Sequence, residues 1–291
     1  MTRVPKWEYA LLAVAVIGIS SSGPIAAVAA APALAIAFWR NAMGTVLIAG
    51  HAALRPRPRL TWRQVAGCAL AGAFLAAHFA LWIPSLDLTS VAASTALVCS
   101  APLWSALIAR ASGRRVPAAA WIGMAVALAG VVVISGVDVS GSPRALVGDL
   151  LALAGGAFMA AYLACGEHVR GTLDTTTYTL LCYGTAAIVL LILCLATGSS
   201  LGGYGAATWV ALLALTVGGQ LLGHTLFNRA LHWLSGPTVA TVTLLEVPGA
   251  ALIAAVFLRQ APGPLTWVGI VVILLGLWLA VRATGKPVTA E

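Results

Sequence analysis

Three polar side chains within one apolar stretch are the first place to look for chemistry: Gln220, His224 and Asn228. They stand at i, i+4 and i+8, a spacing that puts all three on one face of a helix. Two amides and an imidazole on one face can hydrogen-bond a polar solute. Offset by 146 positions, the same spacing carries Phe74, His78 and Trp82. That second stripe is mostly aromatic. Facing each other, the stripes would hold a ligand with both apolar and hydrogen-bonding parts. The competing use of such residues is hydrogen bonding between helices, at about 0.6–2 kcal/mol per contact.

Two charges lie deep in apolar runs. Arg40 follows Phe38 and Trp39, and Glu246 follows Thr243, Leu244 and Leu245. The other acidic residues fall at segment ends, in gaps or at the C-terminus. An isolated mid-membrane carboxyl is a functional candidate by default. It can accept a proton from one side of a membrane and release it to the other. Glu246 is therefore expected to carry a proton in this way, coupling the protein's action to protons, with Arg40 as its counter-charge. The structural alternative for Arg40 is a long side chain that snorkels or binds helix-end carbonyls.

Proline marks three further positions. Pro102 and Pro248 interrupt apolar runs at the 146-residue offset, and Ser20-Ser21-Ser22-Gly23-Pro24 interrupts another. Proline removes one backbone donor and strains the preceding turn. Each of Pro102 and Pro248 is expected to free a carbonyl, that of Val98 or Leu244. Ser100 and Trp104, flanking Pro102, are expected substrate contacts. Broken helices at matching positions point to a binding site or a gate.

The elements that carry these residues must lie in lipid. Hydrophobic residues make up 61% of the 291, and charged residues only 8%. Soluble domains carry roughly a quarter charged residues, so this chain could not cover its surface in water. Mean hydropathy is +1.00. Apolar runs long enough to cross a bilayer are expected at 8–29, 32–54, 64–83, 88–108, 118–135, 145–165, 178–196, 206–227, 237–258 and 265–282. The first resembles a signal peptide, but nine more follow, and it reads as an uncleaved helix. The five cysteines all sit in apolar runs with no CxxC spacing, so neither a disulfide framework nor a metal site is expected.

The net charge of +8 would suggest nucleic acid on a soluble protein. Here Lys and Arg cluster in alternate gaps. With the N-terminus inside, thirteen fall on the cytoplasmic side and two, Arg144 and Arg259, outside. Basic residues mark cytoplasmic loops, so both termini are expected in the cytoplasm.

The halves repeat. His78, Pro102, Trp121, Gly123 and Gly130 recur as His224, Pro248, Trp267, Gly269 and Gly276, always 146 residues later. Gly72 and Gly218 add a sixth pair. Each half, 1–140 and 141–291, holds five expected helices. Five is odd, so the second half would insert inverted. The architecture expected is all-α, ten transmembrane helices in two inverted five-helix repeats. Such repeats typify secondary transporters, with the site near the midplane between halves. The fifth and tenth helices carry no polar side chain but tryptophan's and are expected at the periphery, facing lipid all round.

On these features the chain resembles the EamA-type members of the drug/metabolite transporter superfamily. The resemblance rests on Pro32 to Arg40, Thr89-Ser90-Val91-Ala92-Ala93 leading to Ala101-Pro102-Leu103, Gly123 to Gly130, Gly148 to Tyr162, and Leu245-Glu246-Val247-Pro248. It implies a ten-helix inner-membrane carrier working by alternating access, often an exporter of amino acids, related metabolites or toxic compounds. It also brings Tyr162 into the expected substrate contacts. The chain departs from such families after its fourth and ninth helices. There it reads Ser112-Gly113-Arg114-Arg115 and Arg259-Gln260-Ala261-Pro262, without the usual glutamate.

The expected partners are a small-molecule substrate, the bilayer and protons, with the chain working as a monomer without cofactor or nucleic acid. Two other readings are weighed. An intramembrane enzyme would need a pairing such as Ser20–Ser22 with His78, and no HExxH or GxxxxGK[ST] motif is present. A non-transporting sensor would not require inverted halves with broken helices.

Overall fold

The computed structural model describes residues 5–54, 59–136, 142–257 and 263–284. The expected half boundary at 140/141 lies outside these residues. So do Arg3, Arg55, Arg57, Arg259 and Lys286 from the basic-residue count.

The described residues form helices that group into ten passages. Seven helical stretches are long and apolar enough to cross a membrane. The fourth passage, Val91–Val98 with Ala101–Ala111, is not among these seven. The fifth and tenth are Ala118–Gly136 and Pro264–Thr284. The remaining passages are the second, Ala33–Ala52, the third, Trp62–Ser85, the sixth, Pro143–Arg170, and the seventh, Thr175–Thr197, plus three interrupted ones.

Local chemistry sets the ends. Thr61 and Gln64 form a reciprocal capping box at the start of the third passage. Asp174 caps the seventh through the Thr177 amide. That passage ends on Gly198, whose φ of 67° is left-handed, a conformation glycine adopts without strain.

The first passage breaks at Ser21, between Lys6–Ser20 and Ser22–Val28. The fourth breaks at Cys99–Ser100, between Val91–Val98 and Ala101–Ala111. The ninth breaks at Leu244–Leu245, between Gly236–Thr243 and Glu246–Phe257. Pro24, Pro102 and Pro248 therefore stand in the first turn of a new helix, not in mid-helix. A missing N–H costs nothing there. One expectation fails as a result: the Leu244 carbonyl is not freed, because the Val247 amide donates to it at 3.2 Å.

The eighth passage was expected to be a plain α-helix. Ala206–Leu215 instead leads into a π-helical segment, Thr216–Thr225, before α-helix resumes at Leu226–Ala230. π segments are rare and gather at functional sites. This one holds Gln220 and His224.

The third passage packs on the sixth and seventh, the second on the seventh, the first on the eighth, and the fourth on the sixth and ninth. The fifth and tenth form the tightest pair, so they do not face lipid on every side. A Cβ on Gly123 would lie 2.7 Å from the Gly276 carbonyl oxygen, and one on Gly130 would lie 2.7 Å from that of Gly269. The pairing order shows that the two helices run antiparallel. Their outer faces remain exposed and apolar, as at Ile122, Val132, Val268 and Val271.

Candidate functional site

Where the broken passages converge, a small space of about 20 Å³ remains, lined by Ile19, His78, Trp82, Cys99, Met159, His224, Thr243 and Glu246 among others. That is room for about one water molecule, so nothing larger fits in this conformation. The third passage supplies His78 and Trp82, stacked with ring centroids 5.8 Å apart. The π segment supplies His224, 6.1 Å from His78. Both breaks contribute: Cys99 Sγ lies 3.8 Å from Glu246 Oε2.

His78 Nδ1 donates to the Gly155 carbonyl at 3.0 Å. A carbonyl only accepts, so the proton sits on Nδ1 and Nε2 is left as an acceptor. Trp82 Nε1 and His224 Nδ1, both buried, make no hydrogen bond among the described residues. Buried polar atoms are paired in nearly all native structures, so orphans beside one cavity mark the place where a solute would bond.

Behind His224 lies a second layer. Arg40 is fully buried. Its Nε donates to Gln220 Oε1 at 3.0 Å and its Nη1 to Ser22 Oγ at 3.1 Å. The guanidinium sits 4.0 Å from the Phe79 ring centre. Gln220 Nε2 donates onward to Asn41 Oδ1 at 3.0 Å. Arg40 Nη2 has no hydrogen-bond partner among the described residues. The snorkelling alternative is thus not what the structure holds: Arg40 points into the protein and fastens the first-passage break to the π segment. Arg40 and Glu246 are not among the ion pairs of the described residues.

Toward the ends of the sixth and eighth passages, the Tyr162 hydroxyl donates to Asn228 Oδ1 at 2.5 Å. Its ring lies 6.3 Å from His224. Arg170 Nε donates to the Asn228 carbonyl at 3.1 Å. Gln220, Asn228, Tyr162 and Arg40 therefore form a supporting layer, while His78, Trp82, His224 and Glu246 line the space itself. Ser100 and Trp104 are not brought to it. The break turns them away: the Trp104 indole donates to Ser100 Oγ at 3.2 Å, and Ser100 lines a separate small space beside Met124 and Leu128 of the fifth passage. Phe74 packs against Phe158 instead.

Ser20 and Ser21 donate to the carbonyls of Val16 and Gly18, and Ser22 accepts from Arg40. The Ser–His pairing considered from sequence is therefore not formed.

Sequence reasoning missed two ion-paired clasps, both at helix ends on the side of the N-terminus. Glu8, buried at the start of the first passage, accepts from Arg229 Nη2 at 3.0 Å and from the Trp233 indole at 3.1 Å. Glu167, near the end of the sixth, accepts from Arg114 Nη1 at 2.5 Å and from the Gly236 amide at 2.9 Å. This carboxylate holds Arg114 above its ordinary pKa. The Glu8–Arg229 clasp and the Arg114–Glu167 pair each join residues before 141 to residues after it. The signal available was Glu8 itself, an acidic residue just inside an apolar run.

Comparisons with known proteins bear on the family and the fold. The model of the EamA-like transporter family matches residues 6–136 and again 146–282. An uncharacterized transporter of Bacillus subtilis (strain 168), YwfM, is 26% identical over 228 residues, covering 76% of this chain and 75% of that protein. A solved structure described only as the crystal structure of a protein superposes with a TM-score of 0.77 at 17% identity, covering 97% of this chain and all of that one; it speaks to the fold alone. This multi-pass membrane protein, with its ten-helix repeat architecture, belongs to the EamA-like transporter family.

Proposed function

We propose that the chain is a secondary-active carrier that exports a small polar metabolite, an amino acid or related compound, by alternating access between two inverted five-helix halves. The observation that carries this reading is the small central space bordered by two buried polar atoms without a partner among the described residues, the indole N–H of Trp82 and the ring nitrogen Nδ1 of His224. Binding the solute would satisfy them.

The antiparallel glycine contact between the fifth and tenth passages supports inversion. The clasps on the N-terminal side support a gate there: opening that side requires Glu8 to part from Arg229 and Glu167 from Arg114. With the basic-residue count, that side is the cytoplasm, both termini lie in it, and the membrane is a bacterial-type inner membrane. Glu246 is the proton-carrying group, poised beside Cys99 and able to exchange a proton with the central space. The chain acts as a monomer and catalyses no covalent step.

Purified protein screened by thermal shift against amino acids, nucleobases and polyamines tests the reading, because a ligand that binds the native state stabilises it. A stabilising solute that no longer stabilises His224→Ala supports it. A solute that stabilises both proteins equally places binding elsewhere.

A further inference from the structure

A second cavity, larger than the central one, lies apart from it. A cleft of about 710 Å³ lies between the end of the second passage, the turn joining the sixth to the seventh, and the end of the eighth. It shares no lining residue with the central space. Tyr183, whose hydroxyl donates to the Gln220 carbonyl at 3.2 Å and bonds Thr225 at 3.0 Å, stands between them.

Two chemistries line this cleft. Its wall is apolar, with Leu47, Leu221 and Leu226. Its mouth carries Arg170, Arg229, His51 and His232, together with one carboxylate, Asp174, beside Arg170. The nearby carboxylates are already engaged. Asp174 accepts from the Thr177 amide at 3.1 Å and hydroxyl at 2.6 Å, and Glu8 accepts from Arg229 and Trp233. Arg170, only 4% exposed, directs Nε to Asn228, Nη1 to the Leu173 carbonyl and Nη2 to Thr175 Oγ1. A guanidinium has five N–H donors, so two remain. What the cleft offers a ligand is thus an excess of donors above an apolar wall.

Its place in the fold selects the ligand. The mouth lies at helix ends, at the depth of a lipid headgroup. The wall continues onto a surface that faces acyl chains, where Val46 is 70% exposed and Leu47 47%. A soluble anion would use the donors but not the wall. We infer that this cleft is a binding site for an anionic phospholipid, with the phosphate at the Arg170–Arg229 mouth and one acyl chain along Leu47, Leu221 and Leu226. Basic pockets between membrane helices bind headgroups of this type.

The test uses the full chain in phosphatidylcholine nanodiscs, with and without phosphatidylglycerol. Melting temperature and lipid adducts by native mass spectrometry are measured. Phosphatidylglycerol should raise the melting temperature and remain bound as an adduct. His51→Glu combined with His232→Glu places two negative charges at the exposed mouth. It should weaken phosphatidylglycerol binding at least tenfold and leave melting in pure phosphatidylcholine unchanged. A photoactivatable phosphatidylglycerol should crosslink within residues 221–226, which keeps the test valid if the double variant folds poorly. Equal stabilisation by phosphatidylcholine, an unaffected double variant, or crosslinks only elsewhere would overturn the assignment. Equal stabilisation by inorganic phosphate would overturn the lipid as the source of the anion.

Discussion

Glu8 and Arg229 lie 221 positions apart in sequence and 3.0 Å apart in space. The first passage begins, and the eighth ends, on this pair. Glu8 is buried, whereas the Arg229 side chain is 38% exposed. Replacing Glu8 by Gln leaves the guanidinium and the Trp233 indole facing a neutral acceptor. Hydrogen bonds to charged groups contribute about 1.5–3 kcal/mol, and solvent at Arg229 puts the expected loss at the lower end. If the clasp is a gate, Glu8→Gln should also speed modification of a cysteine placed at Gln220 from the N-terminal side. Unchanged accessibility, with the loss of stability alone, would reduce the pair to a structural tie.

The glycine seam predicts a packing defect confined to one pair of helices. A Cβ on Gly276 would lie 2.3 Å from the Ala127 amide nitrogen and 2.6 Å from the Gly123 carbonyl oxygen. These are backbone atoms, so no side-chain rotation relieves the clash. Gly276→Leu should destabilise by about 1–3 kcal/mol or more, read as a lowered melting temperature in detergent. Gly50→Ala, where nothing lies within 4 Å, should change little. Similar losses at both sites would contradict the packing described for the fifth and tenth passages.

Much of this arrangement could be read in the sequence, for a physical reason. Lipid permits few exceptions to apolar runs of fixed length, so the passages and the residues that violate them stand out. His78, Trp82, His224 and Glu246 were marked by polarity or ring type in apolar surroundings, and the structure gathers them. Gly123, Gly130, Gly269 and Gly276 were visible as repeat markers, but their meaning as a seam required knowing that the helices pair. Ser100 and Trp104 were singled out because they flank Pro102, but adjacency to a break does not fix direction, and the break at Cys99–Ser100 resets which way each residue points. Glu8 was overlooked because a carboxylate at a segment end ordinarily faces water, and its partner lies in the other half of the chain.

Asp174 gives a prediction in pH. Burial alone would raise its pKa, but the Thr177 hydroxyl and the amides of Thr177 and Thr176 together outweigh that effect and hold it below the ordinary carboxylate value. A carboxyl depressed in the folded state adds stability above its unfolded pKa and loses it as pH falls through the folded one. Asp174→Ala should therefore cost the amount of a helix cap at neutral pH, about 0.5–2 kcal/mol. The difference from wild type should shrink only in acid. A difference that grew on acidification would reverse the assigned sign.

Orientation is testable independently of transport. With the N-terminal side in the cytoplasm, a cysteine at position 142 should react with a membrane-impermeant reagent added outside intact cells, and one at position 58 should not. Reversed labelling would place the clasps, and the proposed lipid cleft, on the outer face.

The most direct test of the proposed transport is solute flux through Glu246→Gln in proteoliposomes. Glutamine keeps the shape and hydrogen bonding of glutamate but cannot titrate. Wild-type protein, loaded with a labelled amino-acid mixture and given a proton gradient, should accumulate at least one solute against its concentration gradient. Glu246→Gln should lose that accumulation while retaining exchange of the same solute without a gradient. Gradient-driven accumulation that survives the substitution, or wild-type protein that moves no solute at all, would contradict the account.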